Sequence, residues 1–373
     1  MRVLILEDDP WIADLLKQIV LSLRPAAQVD CRTRVADALA AWQQQAAQLV
    51  ICDWNLPDGS GTRLLEAVRR SDRRVPLLMV TSRADRDSVL AVRPLGISAF
   101  ISKPFQVPKV LDCLQRLLPD DDAPPAAPHG DDDFARHLAE LPAEALDLPL
   151  RAELYQQLRD ATAAPGSLQQ LGEHWQQDPA VQARLIAAAN SAAYNSAGQP
   201  CISLPEAVQR LGAATALNLI QGLALRPAAS LQDADLQALG RAQLQALLQL
   251  HQRVGELAGA CRLDPAPLQS AALLQRMGEL AVLQQAQLWR RHGLTLGDEQ
   301  LQQALQQHSG ELANRLKAHW RLPAPLRELI GACYGLAPGN ARREPILMRL
   351  ASAELQGADE QELQRLRRLA GLA

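Results

Sequence analysis

Over the first 118 residues, short wholly apolar runs alternate with amphipathic stretches. The runs are VLIL at 3–6, LVIC at 49–52, VPLLMV at 75–80 and ISAFIS at 97–102, and helical spacing marks 10–24 and 60–70. Strands that are apolar on both faces need cover on both faces, so the pattern predicts a parallel sheet between layers of helix. At 119–133 the chain reads PDDDAPPAAPHGDDD. Prolines, alanines and a run of acids cannot bury apolar surface, and this stretch is expected to be an extended linker.

Beyond residue 134 the periodicity is helical. Asp178-Pro179 sets a cap before a first-turn proline, and Val181, Leu185, Ile186 and Ala189 follow at helical spacing. Ser203-Leu-Pro-Glu206 reads as a capping box, with Gly212 where that helix should stop. Asp264-Pro265 and Leu322-Pro323 mark further boundaries. Two domains are expected: an α/β doubly wound one over 1–118 and an all-α one over 134–373.

Composition narrows the function classes. Of 373 residues 48% are hydrophobic, and the net charge of −3 provides no electrostatic footprint for nucleic acid. Six cysteines (Cys31, Cys52, Cys113, Cys201, Cys261, Cys333) are scattered without CxxC spacing, which suggests neither a zinc site nor a disulfide framework. The chain runs into Glu7-Asp8-Asp9 before a signal-peptide core could form, and no apolar run approaches the ~18 residues of a membrane span. A reduced, cytoplasmic protein without a membrane is the expectation.

Candidate chemistry gathers at the ends of the predicted strands, where open α/β sheets bind ligands. Glu7 and Asp8 follow VLIL, Asp53 follows LVIC, and Thr81 and Lys103 follow the last two runs. Clustered carboxylates repel unless a hard cation neutralises them, and oxygen ligands suit Mg²⁺. A carboxylate beside such a cation, with a hydroxyl and an ammonium at hand, is equipped for phosphoryl transfer. Lys103 is one of four lysines among 38 basic residues, standing where an ammonium is needed and arginine would fit differently.

The segments LILEDDP, CDWNLPDGSG, MVTSRAD and AFISKPF together resemble the receiver domain of bacterial response regulators, over residues 1 to about 118. The resemblance implies a flavodoxin-like five-stranded parallel sheet and an Asp53 that accepts a phosphoryl group. It also implies Mg²⁺ held by Glu7, Asp8, Asp53 and the backbone carbonyl of Asn55. Thr81 and Lys103 would contact the phosphoryl oxygens, Phe100 would be the rotameric switch, and Lys103-Pro104 would be a cis peptide. The donor would be a sensor histidine kinase.

Residues 178–225 and 306–330 resemble the HDOD domain, an all-α relative of HD-type metal-dependent phosphohydrolases, with a core of about 146–350. Where that resemblance places the hydrolase His-Asp dyad, the chain has Gln275-Arg276, and near residue 333 it reads ACYG. Arginine has no lone pair for a metal and glutamine is a weak neutral ligand. His308 is left without an obvious partner, and a lone neutral ligand does not hold a catalytic divalent ion. Asn190-Ser191 either caps neighbouring helices or lines a ligand groove, and Trp175, Trp289 and Trp320 read as core.

Three functions remain open at this point. The first is a response regulator whose phosphorylated receiver controls a non-catalytic HDOD domain that binds an unidentified downstream signalling protein, with a homodimer one assembly open to it. The second is an HD-type cyclic-nucleotide phosphodiesterase, which the missing dyad opposes. The third is a DNA-binding regulator, opposed by the charge balance and the size of the second domain.

Overall fold

The computed structural model describes residues 1–83, 90, 92–118, 133–159, 166–172, 174–339 and 341–372. The linker at 119–133 therefore lies outside the described residues except for Asp133. The chain divides into two compact units, Met1–Pro128 with Leu217–Arg226, and His129–Ala216 with Pro227–Ala373.

The first unit carries five parallel strands: β1 (Arg2–Leu6), β2 (Gln28–Arg32), β3 (Leu49–Cys52), β4 (Leu77–Thr81) and β5 (Ala99–Ser102). Their order is β2-β1-β3-β4-β5, which puts the reversal of strand order between β1 and β3. Helices α1 (Pro10–Leu23), α2 (Val35–Gln44), α3 (Thr62–Ser71) and α4 (Val107–Leu117) accompany them. Alternate residues of the central strands enter two separate cores. Val3, Ile5, Ile51 and Val80 pack with α1 and α4, while Leu4, Leu6, Val50 and Met79 pack with α2 and α3.

The four apolar runs are four of the five strands. The pattern misses β2 and α2. QVDCR is an edge strand with every residue half-buried or exposed, so it carries no continuous apolar run.

Among the described residues the second unit is helical, apart from one β-bridge between Leu150 and Ser230. Pro179–Ala189 is buried on every face, which makes it the central helix, and Asp178 caps it by accepting from the Ala180 and Val181 amides at 2.9 and 3.1 Å. The 27-residue helix Ala234–Ala260 packs along Pro265–Leu273 and Arg343–Gln356, and Met277–Arg291 packs along Asp298–His319. Trp175, Trp289 and Trp320 are each 6% exposed, in the core as expected.

One local expectation fails. Ser203 is the N-cap of Leu204–Leu211 by position, but its side chain makes no cap bond. The Leu204 amide donates instead to Ser270 Oγ, and Glu206 is drawn to Arg210 and to the Ile202 amide. A neighbouring helix supplies the acceptor, so the capping box does not close. Gly212 does end that helix, at φ +76°.

Candidate functional site

Strand register builds the site. Leu6 lies opposite Cys52, and Cys52 opposite Met79, so the residues that follow β1 and β3 emerge together at the carboxyl edge of the sheet. The Asp53 amide donates to the Leu6 carbonyl at 2.8 Å, and the Glu7 amide to the Arg32 carbonyl at 2.9 Å, which prolongs the ladder by one step. Glu7 and Asp53 are thus buried, 1% and 7% exposed, while Asp8 points out and is exposed. Asp9 turns away from the cluster to cap α1 through the Trp11 amide at 2.9 Å.

Lys103 Nζ lies 2.8 and 2.6 Å from the two oxygens of Glu7 and 2.7 Å from Asp53 Oδ2. The other Asp53 oxygen accepts from the backbone amides of Trp54 and Asn55. Burial lifts the Glu7 pKa to about 7, opposed by Lys103 and reinforced by Asp53. Asp8 is also raised, again chiefly by desolvation, with Asp53 and Asp9 adding to it. Burial alone would lower the Lys103 pKa, but the two carboxylates outweigh it and the net direction is up.

Thr81 ends β4 fully buried, and its Oγ1 accepts from the Arg83 amide at 3.2 Å. Its carbonyl accepts from the Lys103 amide at 2.8 Å, which ties the β4 and β5 ends together. The Lys103-Pro104 peptide is cis. Phe100 sits on β5 opposite Met79, half-buried against the core shared with α2 and α3. Glu7, Asp8, Asp53 and Lys103 therefore converge, Thr81 borders them, and Phe100 packs against the adjoining core.

Carboxylate oxygens of Glu7, Asp8 and Asp53 can all lie within 4.8 Å of one another. Three acids face one lysine, and burial raises the pKa of Glu7 and of Asp8, with the neighbouring carboxylate of Asp53 adding to each. This all-oxygen donor set, short of positive charge, fits a hard divalent cation such as Mg²⁺.

Two residues of the CDWNLPDGSG segment have roles that the sequence left unread. A Cβ at Gly61 would come within 1.9 Å of the Asp53 carbonyl oxygen, so the chain can pass under Asp53 at that point only as glycine. Asp58 reaches across to accept from the Val35 and Ala36 amides at 2.8 and 3.0 Å, capping α2 from outside the helix.

In the second unit Gln275 and Arg276 form the turn between Pro265–Leu273 and Met277–Arg291. Arg276 Nη1 donates to Gln243 Oε1 at 2.7 Å, and the Tyr334 hydroxyl donates to the Gln275 carbonyl at 3.0 Å. Burial pushes the Tyr334 hydroxyl up to about 12, so it keeps its proton for that bond. His308 is half-buried and belongs to no group of candidate metal ligands among the described residues. Asn190 resolves as a brace: its amide donates to the Ile186 and Cys201 carbonyls at 2.8 Å, and its oxygen accepts from the Cys201 amide at 2.9 Å.

The family model of the HDOD domain matches residues 148–335, half of the chain. The chain belongs to the HDOD family. The model of the response regulator receiver domain matches residues 3–115, which makes this HDOD protein a response regulator of a phosphorelay. The chemotaxis protein CheY of Pseudomonas aeruginosa is 28% identical over 121 residues, 31% of this chain and 95% of that protein. The virulence transcriptional regulatory protein PhoP of Salmonella typhimurium is 29% identical over 119 residues, 32% of this chain, and the match spans about half (52%) of its length. Among solved structures, the non-phosphorylated HemR receiver domain from Leptospira biflexa is 29% identical, with a TM-score of 0.30 over 33% of this chain and 98% of that one. Among the described residues no helix is long and apolar enough to cross a membrane.

Proposed function

We propose that Asp53 is the phosphoacceptor and that the receiver, residues 1–118, governs a non-catalytic HDOD output domain, residues 134–373, through the linker at 119–133. The observation that carries the first half is Lys103 bridging Glu7 and Asp53 at the carboxyl edge of the sheet. The Asp53 oxygen beside Lys103 attacks the phosphorus of a phosphohistidine donor. The bond from phosphorus to the imidazole nitrogen breaks, and its electron pair returns to that nitrogen. Backbone amides of Trp54 and Asn55 hold the second oxygen of Asp53, so the carboxylate enters the reaction already oriented. Lys103 neutralises charge on the phosphoryl oxygens, and the Thr81 hydroxyl gives up its bond from Arg83 to reach one of them.

Glu7, Asp8, Asp53 and the Asn55 carbonyl would hold Mg²⁺, which supplies further neutralisation of the phosphoryl charge. Movement of Thr81 toward the phosphoryl group frees space beside β5, into which Phe100 turns. The half-buried position of Phe100, against the core rather than fixed within it, supports that role.

The output half signals by binding a downstream protein and does not hydrolyse a nucleotide. Supporting this, the turn where an HD hydrolase carries its metal dyad has the permanent cation of Arg276 bonded to Gln243, with the Gln275 carbonyl occupied by Tyr334. Incubating the full chain with Mg²⁺ and acetyl phosphate should add one phosphoryl group by intact mass, and Asp53→Asn should abolish it. Equal labelling of that variant overturns the assignment. Stoichiometric transition metal in the purified protein, together with cyclic-nucleotide hydrolysis, would overturn the non-catalytic reading of the output half.

A further inference from the structure

We propose that residues 217–226 are a latch that the receiver holds in the resting protein and lets go when Asp53 is phosphorylated. These residues fall inside the stretch matched by the HDOD model, yet they belong to the first compact unit. The trigger rests on Asp53 as the phosphoacceptor, and the latch itself rests on contacts within that unit.

The sequence marks the segment. Residues 216–225 read ALNLIQGLAL, an apolar helical run interrupted by Asn218, Gln221 and Gly222, and asparagine and glycine both weaken a helix. Asn218 and Gly222 stand four apart in the helix Ala213–Ala224, on one face. A last turn, closed by the Leu225 amide on the Gly222 carbonyl at 3.2 Å, adds Leu225 and Arg226.

Each of these four residues meets the receiver. Asn218, 4% exposed, donates from Nδ2 to the Phe105 carbonyl at 2.6 Å. Gly222 passes so close to α1 that a Cβ there would come within 2.5 Å of Cδ1 of the buried Leu15. Leu225 packs on the core shared by α1 and α4, and Arg226 Nη2 pairs with Asp14 Oδ2 at 2.7 Å. A buried hydrogen bond, a close backbone approach, an apolar contact and an ion pair thus fall within nine residues of chain. The two weak helix formers are where docking needs a donor and an absent side chain.

Phe105 connects the latch to the chemistry. It stands two residues after Lys103, whose Nζ lies 2.7 Å from Asp53 Oδ2. A phosphorus atom bonded to that oxygen takes the place of the ammonium, so Lys103 must draw back to meet the outer phosphoryl oxygens. The short chain to Phe105 carries part of that movement. A shift of about an ångström takes the Asn218 bond beyond its range and leaves a buried amide unpaired, which favours the undocked segment.

Hydrogen exchange of the full chain, read by mass spectrometry on peptides from 213–226, tests this. In the resting protein these amides should be protected. Mg²⁺ with acetyl phosphate should speed their exchange about tenfold or more, and Asn218→Ala and Gly222→Gln should do so without a phosphodonor. Alanine and glutamine are better helix formers than the residues they replace, so faster exchange reports lost docking and not a weaker helix. Arg226→Asp should act in the same way, and adding Asp14→Arg should restore protection, which keeps the test decisive if another variant does not fold. Protection in these variants equal to that of the unmodified chain would overturn the latch. Unchanged or slower exchange in protein that carries one phosphoryl group by intact mass would overturn its release. Faster exchange that persists in Asp53→Asn under acetyl phosphate would uphold the latch and remove Asp53 as the phosphoacceptor.

Discussion

Lys103 Nζ lies 2.7 Å from Asp53 Oδ2, with 50 residues of chain between them. The two side chains meet because β3 and β5 both flank β4 in one parallel sheet and end at the same edge. With Asp53 as the proposed phosphoacceptor, an ammonium this close would stabilise negative charge growing on the phosphoryl oxygens more than the resting carboxylate. Lys103→Met should therefore slow phosphoryl uptake from acetyl phosphate about a hundredfold or more, read as the initial rate of mass gain. Lys103→Arg should not restore the rate, because a planar fork cannot occupy the point between Glu7 and Asp53 that a compact ammonium fills. Rates unchanged by either substitution would remove Lys103 from the reaction.

The Glu7 carboxyl gives a pH dependence whose sign can be worked out. Burial raises its pKa from 4.5 to about 7 in the metal-free fold, so between those values the folded chain keeps a proton that the unfolded chain releases. Its contribution to metal-free stability therefore falls as pH climbs from about 4.5 to about 7, and levels off above. A divalent cation must displace that proton. Mg²⁺ affinity should consequently rise toward tenfold per pH unit below 7 and flatten above it, with proton release visible by calorimetry in buffers of different ionisation enthalpy. An affinity that is flat from pH 5.5 to 8 would falsify the role of Glu7.

The interior of this sheet was legible in the sequence, because VLIL, LVIC and VPLLMV must be covered on both faces and their ends then carry the acids to one edge. The edge was not. QVDCR forms β2 by pairing with β1 along its whole length, and that partner is invisible in a run with no apolar periodicity. Capping shows the same divide. Asp178 and Asp264 cap their own helices and were readable, whereas the caps from Ser270 and Asp58 come from 66 and 22 or more residues away. In the second unit the polar pair Gln275-Arg276 could be seen to lack metal-ligand chemistry. Its partners Gln243 and Tyr334 could not be seen, being brought there by packing.

Gly61 sets the backbone shape beneath Asp53, the proposed phosphoacceptor. An alanine Cβ 1.9 Å from the Asp53 carbonyl oxygen and 2.6 Å from Cys52 Sγ cannot be accommodated by a rotamer change, because the nearer atom is main chain. The loop must move by about an ångström, and a displacement of that size at a reacting group costs about a hundredfold. Gly61→Ala should therefore label far more slowly than the unmodified protein although Asp53, Lys103 and Thr81 are all present. Comparing initial labelling rates with the thermal unfolding curve separates this from global unfolding. Normal labelling by a stably folded Gly61→Ala protein would show that the loop tolerates the side chain.

Gly278 poses the parallel question for the helical unit, two residues beyond the Gln275-Arg276 turn. It is buried in the first turn of Met277–Arg291, and a Cβ there would lie 1.9 Å from the Ser309 carbonyl oxygen and 3.1 Å from Ala313 Cβ on Asp298–His319. Glycine is thus what lets these two helices cross in backbone contact, and the residue beside the Gln275-Arg276 turn serves packing. Gly278→Ala must push the helices apart, opening space around Leu280 and Leu312, both buried. Overpacking of this kind costs about 1–3 kcal/mol or more, which for a domain of this size lowers Tm by several degrees. Phosphoryl uptake at Asp53 should be unchanged, since the receiver core shares no residue with this crossing. Differential scanning calorimetry beside the acetyl phosphate assay reads both quantities, and an unshifted transition would mean that the crossing is looser than the structure shows.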